Sequence, residues 1–339
     1  MQNLLFGDDE NDPPDAKKKS LRQINPVAPD AAIIALAKTL PPNLRLGTSS
    51  WNYPGWNGLV WDGEYSAPNL SRYGLSAYAK HPLFRTVSID RSFYRALTVA
   101  QFAEHASQVD EDFRFVVKAP SLVTDALFRD EAGRGTRQNA HFLDAQEALQ
   151  LFVEPALEGL GIKLGALVFQ ISPLPGAWLA HMPKLIDRLH RMLAAIPDLK
   201  KSAPDAVVAV EVRDPQWLTP QFVAALRDTG ATYCMGLHPK MPRISDQLPI
   251  LRALWPGPLV CRWNLNAVHG AFGYEDARDA YEPYDKIVDH DLETRSALVR
   301  VIAGTAKAGQ NVFVTLSNKA EGSAPLSVIE LARALQSFQ

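Results

Sequence analysis

The chain has 339 residues, 47% hydrophobic and 21% charged, which is ample apolar material for one large core. Its 35 basic and 37 acidic residues leave a formal charge of -2, which argues against a dedicated nucleic-acid binder but leaves room for a local basic pocket. Two cysteines, Cys234 and Cys261, exclude a disulfide scaffold and read as reduced core thiols, and no apolar run approaches the roughly 20 residues that span a bilayer.

The first segment is polar. It carries Asp8-Asp9-Glu10, Pro13-Pro14 and Lys17-Lys18-Lys19, and it lacks the apolar stretch of a signal peptide. Residues 1–28 are therefore expected to form a disordered tail, residues 29–339 a single domain, and the cytoplasm is the expected compartment. Asp30 is placed to cap a short helix running to Leu40.

From Leu44 onward, β-type runs alternate with helical ones. The strand candidates are Leu44–Ser50, Thr86–Ser92, Phe113–Ala119, Leu164–Ser172, Val207–Arg213, Ala231–His238, Leu259–Asn264 and Asn311–Ser317. Helical runs include Val99–Gln108, Ala140–Leu157, His181–Ile196, Pro220–Thr229, Leu292–Lys307 and Ser327–Gln339. Eight such units predict an α/β fold of the TIM type, a (β/α)8 barrel. The runner-up, a doubly wound open sheet, lacks its usual G-x-G-x-x-G after any strand.

The strands have a sidedness. In Val207–Arg213, the parity Val208, Val210, Val212 is wholly apolar, so it should face the outer helices and leave Glu211 and Arg213 pointing inward. Read this way, polar inward residues gather toward the C-terminal ends of most strands: Asp90, Lys118, Gln170, Glu211 with Arg213, His238, and Arg262 with Asn264. That end carries the active site in barrels of this kind. Lys118 and Glu211 are the candidate catalytic pair, since a recessed lysine acts as acid, base or Schiff-base nucleophile and a carboxylate exchanges protons with it. The alternative is a structural ion pair in which Arg213 braces Glu211. Both residues are expected to join Gln170 in one network. Lys118, Arg213 and Arg262 would hold a phosphate or carboxylate, unless the arginines merely neutralise Asp90 and Glu211.

Trp51, Tyr53, Trp56 and Trp61 follow the first strand in a loop rich in Gly and Pro. They would either stack on a sugar ring or nucleobase, or anchor the loop by packing. His238 with His269 and Asp90 makes a weak metal signal beside a competing lysine, so neither a metal nor another cofactor is expected.

Several segments resemble one family. Leu46-Gly47-Thr48-Ser49-Ser50-Trp51-Asn52-Tyr53-Pro54-Gly55-Trp56 is similar to the G-T-S-G-W-x-Y-x-x-W opening of the YecE-like proteins, the domain of unknown function 72. Val87–Tyr94, Phe113–Pro120, Leu164–Pro173, Val210–Trp217 and the stretch from Asn318 through Ala324-Pro325 resemble later family segments in order. The resemblance implies a TIM-type barrel and no particular activity. It adds Tyr94 and Asn318 to the candidate binding residues. The family's strand-two Glu-x-Asn is Ser88-x-Asp90 here, and the histidine of its strand-seven Arg-x-His-Gly is replaced by Asn264.

These features lead to one expectation and two alternatives. The expectation is a metal-independent acid/base enzyme for a small anionic or polyol-type molecule. The alternatives are a non-catalytic binding module for a nucleotide or single-stranded nucleic acid, which is not favoured, and a catalytically degenerate family member. No membrane partner is expected.

Overall fold

The computed structural model describes residues 23–130 and 133–338. Among the described residues ten strands form: β1 Leu44–Thr48, β2 Phe84–Ile89, β3 Arg114–Lys118, β4 Leu127–Arg129, β5 Gly135–Gln138, β6 Leu164–Gln170, β7 Val207–Glu211, β8 Thr232–Leu237, β9 Leu259–Trp263 and β10 Val312–Leu316. Eight of them close a parallel barrel in the order β1-β10-β9-β8-β7-β6-β3-β2, with helices between. These are the eight strands expected from the sequence. No described helix is long and apolar enough to cross a membrane.

The alternation of side chains builds the barrel in layers. Val116, Ala166, Val168, Ala209, Cys234, Val260 and Phe313 form their own buried cluster inside the barrel. The opposite parity, such as Val210, Leu167 and Cys261, joins the larger core under the helices. Below the inner cluster the N-terminal end is also charged. Asp205 accepts from Arg45 Nη2 at 3.2 Å, Arg114 Nε at 2.9 Å and Asn311 Nδ2 at 3.1 Å. Arg45 also lies 5.8 Å from the Phe313 ring centre. Inward polarity therefore marks both ends of the barrel, and the floor is sealed by an ion network.

The helices depart from expectation in places. Leu292–Lys307 forms as expected, and Asp30 caps its helix by accepting from the Ala32 amide at 2.8 Å. The run expected as one helix over Ala140–Leu157 breaks into Ala145–Ala148, a π-helical stretch Leu149–Val153, and Glu154–Leu160. Pro155, near the start of the last piece, has no N–H to continue the ladder. Helix Ile244–Ala253, outside the helical runs named from the sequence, forms with Pro249 inside it. The hairpin β4–β5 was missed because its short strands carry no apolar alternation.

The expected tail over residues 1–28 needs correction at its end. Residues 1–22 lie outside the described residues. Ile24 is buried, Pro26 pairs with Trp61, and the Val27 amide donates to the Val60 carbonyl at 2.9 Å. An apolar Ile-x-Pro-Val stretch thus packs on the loop after β1, upstream of the expected boundary.

Candidate functional site

The site lies at the C-terminal ends of the strands, where inward residues stop being apolar. Glu211 closes β7 and is fully buried. Its Oε1 accepts from Arg213 Nη1 and, at 3.0 Å, from Asn264 Nδ2. Its Oε2 accepts from Arg262 Nη1 at 2.7 Å. Burial would raise its carboxyl pKa, but Arg213 and Arg262 hold it down at about 2. Gly236 of β8 makes room for this pair: a Cβ there would lie 2.9 Å from Glu211 Oε1 and 3.0 Å from Arg213 Nη1.

Arg262, near the end of β9, reaches across the mouth. Its Nη2 donates to both oxygens of Asp90, at 2.8 and 2.7 Å, beyond the end of β2. Its Nη1 also donates to Gln170 Oε1 at 3.1 Å, and Arg213 Nη2 donates to the same oxygen at 3.0 Å. Both arginines are almost wholly buried. Their terminal nitrogens bond Asp90, Glu211 and Gln170, so they neutralise carboxylates; Arg262 Nε has no partner but is buried away from a ligand. The expected anion clamp of Lys118, Arg213 and Arg262 is not assembled in this arrangement.

Lys118 ends β3 and stands apart from that network. Among the described residues no carboxylate lies within ion-pair distance of its Nζ, and it makes no hydrogen bond to Gln170 or Glu211. The expected Lys118–Gln170–Glu211 chain is thus corrected: the arginines outcompete the lysine for both partners, because a planar fork satisfies two acceptors at once. The amine sits 3.7 Å from the centre of the Phe93 ring. Burial lowers its pKa to about 7; Asp90 opposes the shift, and Arg262 and Arg213 reinforce it. The Ser92 hydroxyl donates to the Lys118 carbonyl at 2.6 Å and pins the strand end.

Tyrosines surround Asp90. Tyr94 is exposed, Tyr53 and Tyr274 are half-buried, and the hydroxyl pKa of each is raised, first by burial and in part by Asp90. Asp90 itself also accepts from the Ser88 hydroxyl at 2.6 Å. His238 is buried, accepts from the Lys240 amide through Nδ1 at 3.0 Å, and lies 5.4 Å from Tyr274 centre to centre. Burial and then Arg213 lower its pKa to about 3, so it is neutral. Tyr274 and the Phe93 platform were not picked out from sequence. Both lie in short segments beyond strand ends, where no periodicity marks which side chain turns inward.

The other sequence candidates are structural. Trp51, Trp56 and Trp61 are buried, and their indole N–H groups donate to Leu70 O, Asn318 Oδ1 and Tyr53 O. Their faces pack the loop and are closed to a nucleobase or sugar. Asn318 is buried, and its Oδ1 also accepts from the Ala324 amide at 2.9 Å where the final helix begins. His269 packs edge-on against Tyr281 rather than joining His238 and Asp90. Among the described residues no three His, Cys, Asp or Glu side chains group in a way that would hold a metal.

Comparison with known proteins agrees with this architecture. The model of a family described as a protein of unknown function, DUF72, matches residues 45–339. A DUF72 family protein from Enterococcus faecalis superposes with a TM-score of 0.54 at 18% identity, covering 86% of this chain and 95% of that one. A second, from Thermotoga maritima, gives 0.52 at 19% identity, covering 86% and 99%. At such identities the likeness shows the fold alone. No curated protein matches the chain.

Proposed function

This chain belongs to the DUF72 family, and we propose that it is an enzyme of metal-independent acid/base chemistry on a small anionic or polyol-type molecule, with Lys118 moving the proton. The observation that carries this reading is the contrast at the mouth: the terminal nitrogens of both arginines bond Asp90, Glu211 and Gln170, while the Lys118 amine is left without an ion-pair partner on an aromatic face. An ammonium serving only structure would be expected to take one of the two carboxylates nearby. A lysine that is partly neutral at pH 7 is matched to proton transfer at that pH.

Glu211 is better described as a positioning residue than as a partner in proton transfer. Both of its oxygens are engaged, and its carboxylate is held ionised far below neutrality. It fixes Arg213 and Arg262, and Arg262 in turn orients Asp90. The half-exposed Asp90 carboxylate would accept hydroxyls of a polyol beside the amine. Burial of the tryptophan faces removes the surface on which the nucleic-acid alternative depended.

The test has two stages. Thermal-shift screening against sugars, sugar acids and phosphorylated polyols identifies a stabilising molecule. Its carbon-bound hydrogens are then followed by NMR in D2O. Exchange catalysed by the wild type and lost in Lys118→Met supports the reading; equal exchange in the variant overturns it.

A further inference from the structure

A second recess lies outside the barrel. It has a volume of about 390 Å³ and sits between helix Ile244–Ala253 and helix Leu292–Lys307, against Thr232 and Leu259 at the N-terminal starts of β8 and β9. The mouth described above is at the opposite ends of the strands. Ligand cavities typically span roughly 300–1,000 Å³, so this one suits a small molecule. One wall is the stripe Ile244, Leu248 and Leu251, spaced i, i+4, i+7, and the facing wall is Ala297, Val301 and Gly304 at the same spacing.

Two further observations bear on what fills it. Arg252 and Arg300, one from each helix, also line the recess. Both are exposed, neither has an ion-pair partner among the described residues, and no acidic residue lines the cavity. Gly304 lies inside a sixteen-residue helix, where glycine is a poor helix former. A Cβ at Gly304 would meet nothing within 4 Å, so packing does not require glycine there. Its effect is to leave the recess open.

We propose that this recess is a second binding site, which takes a small amphipathic carboxylate with its acyl tail between the two helices and its headgroup on Arg252 and Arg300. Apolar walls account for the tail, and unpaired guanidiniums without a competing carboxylate account for the charge. A second copy of the chain would need a broad complementary face of roughly 800 Å² per partner, which a recess of this size does not offer.

The full chain is titrated calorimetrically with decanoate, decanol and decyltrimethylammonium, while tryptophan emission is followed, since Trp255 lines the recess and is half exposed. Decanoate is expected to saturate one site and shift the emission, with Trp255→Phe removing the optical change but not the heat. Arg252→Gln and Arg300→Gln, both at exposed positions, should each raise the Kd roughly tenfold or more. Gly304→Leu should abolish binding and raise the Tm; should it fail to fold, the arginine variants decide alone. Equal binding of decanol, no saturable binding of decanoate, unaltered affinity in Gly304→Leu or in both arginine variants, or a concentration-dependent dimer dissolved by Gly304→Leu would each overturn the proposal.

Discussion

Glu211 and Lys118 respond to burial in ways that can be read against pH. The Glu211 carboxyl is held at about 2 rather than 4.5, so its charged state favours the folded chain. That contribution, roughly 3 kcal/mol for a shift of this size, is present above pH 4.5 and is lost as pH falls toward 2. Glu211→Gln takes from Arg213 its carboxylate and from Arg262 one of two, and should cost about 3–5 kcal/mol in urea unfolding at pH 7. Lys118 behaves oppositely. Its amine has a pKa of about 7 folded and 10.5 unfolded, so between those values the unfolded chain binds the extra proton and stability rises with pH. Lys118→Met should therefore match or exceed wild-type stability at pH 7. A loss as large as that of Glu211→Gln would show the lysine to be structural. If Lys118 is the base, kcat/KM for the identified substrate should rise about tenfold per pH unit below 7 and level off above it. A flat profile between pH 5 and 8 would count against that role.

At the scale of elements, the strands were legible and the segments beyond them were not. Val207–Arg213 shows why: five valines and alanines in alternation with Glu211 and Arg213 state which face is which, and the pleat does the rest. The same parity placed Asp90, Gln170 and Arg262 inward, as found. Pairing was not legible. Side-chain reach allowed Lys118 to meet Glu211, but partner choice depends on which cation arrives across the barrel, and Arg262 does so from β9. The aromatic loop after β1 left stacking and packing both open, and packing is what forms: sequence does not reveal that Pro26 returns to pair with Trp61 or that Ile24 is buried. Ile24→Ala should accordingly cost about 2 kcal/mol and lower the Tm by several degrees in a thermal scan. On β8, Gly236→Ala should push apart the Glu211–Arg213 pair and cost about 1–3 kcal/mol.

Across the whole molecule, two ion networks cap one apolar plug. The floor around Asp205 and the mouth around Glu211 are separated by the layer that holds Val116, Val168, Ala209, Cys234, Val260 and Phe313. Charges insulated in this way should act independently. Asp205→Ala removes the carboxylate shared by Arg45 and Arg114, leaving Arg45 only the exposed Asp112 at 3.5 Å, and should destabilise by about 3 kcal/mol. Combined with Glu211→Gln, the two losses should add within about 0.5 kcal/mol in a double-mutant cycle. A larger coupling would mean that the barrel transmits strain along its axis.

The span of Arg262 from β9 to Asp90 has a consequence for how a ligand is chosen. Between those two points run β10 and β1, all hydrogen-bonded in sequence, so the guanidinium works as a crossbar on a hoop that is already rigid. Such a rim is a socket and not a jaw. If the mouth takes a ligand as proposed, molecules would be sorted by fit against this fixed crossbar, with little reorganisation of the strands on binding. Adjustment is left to the tyrosine-bearing segments that follow β1, β2 and β9, and exchange of those segments would alter selectivity while the socket keeps its shape.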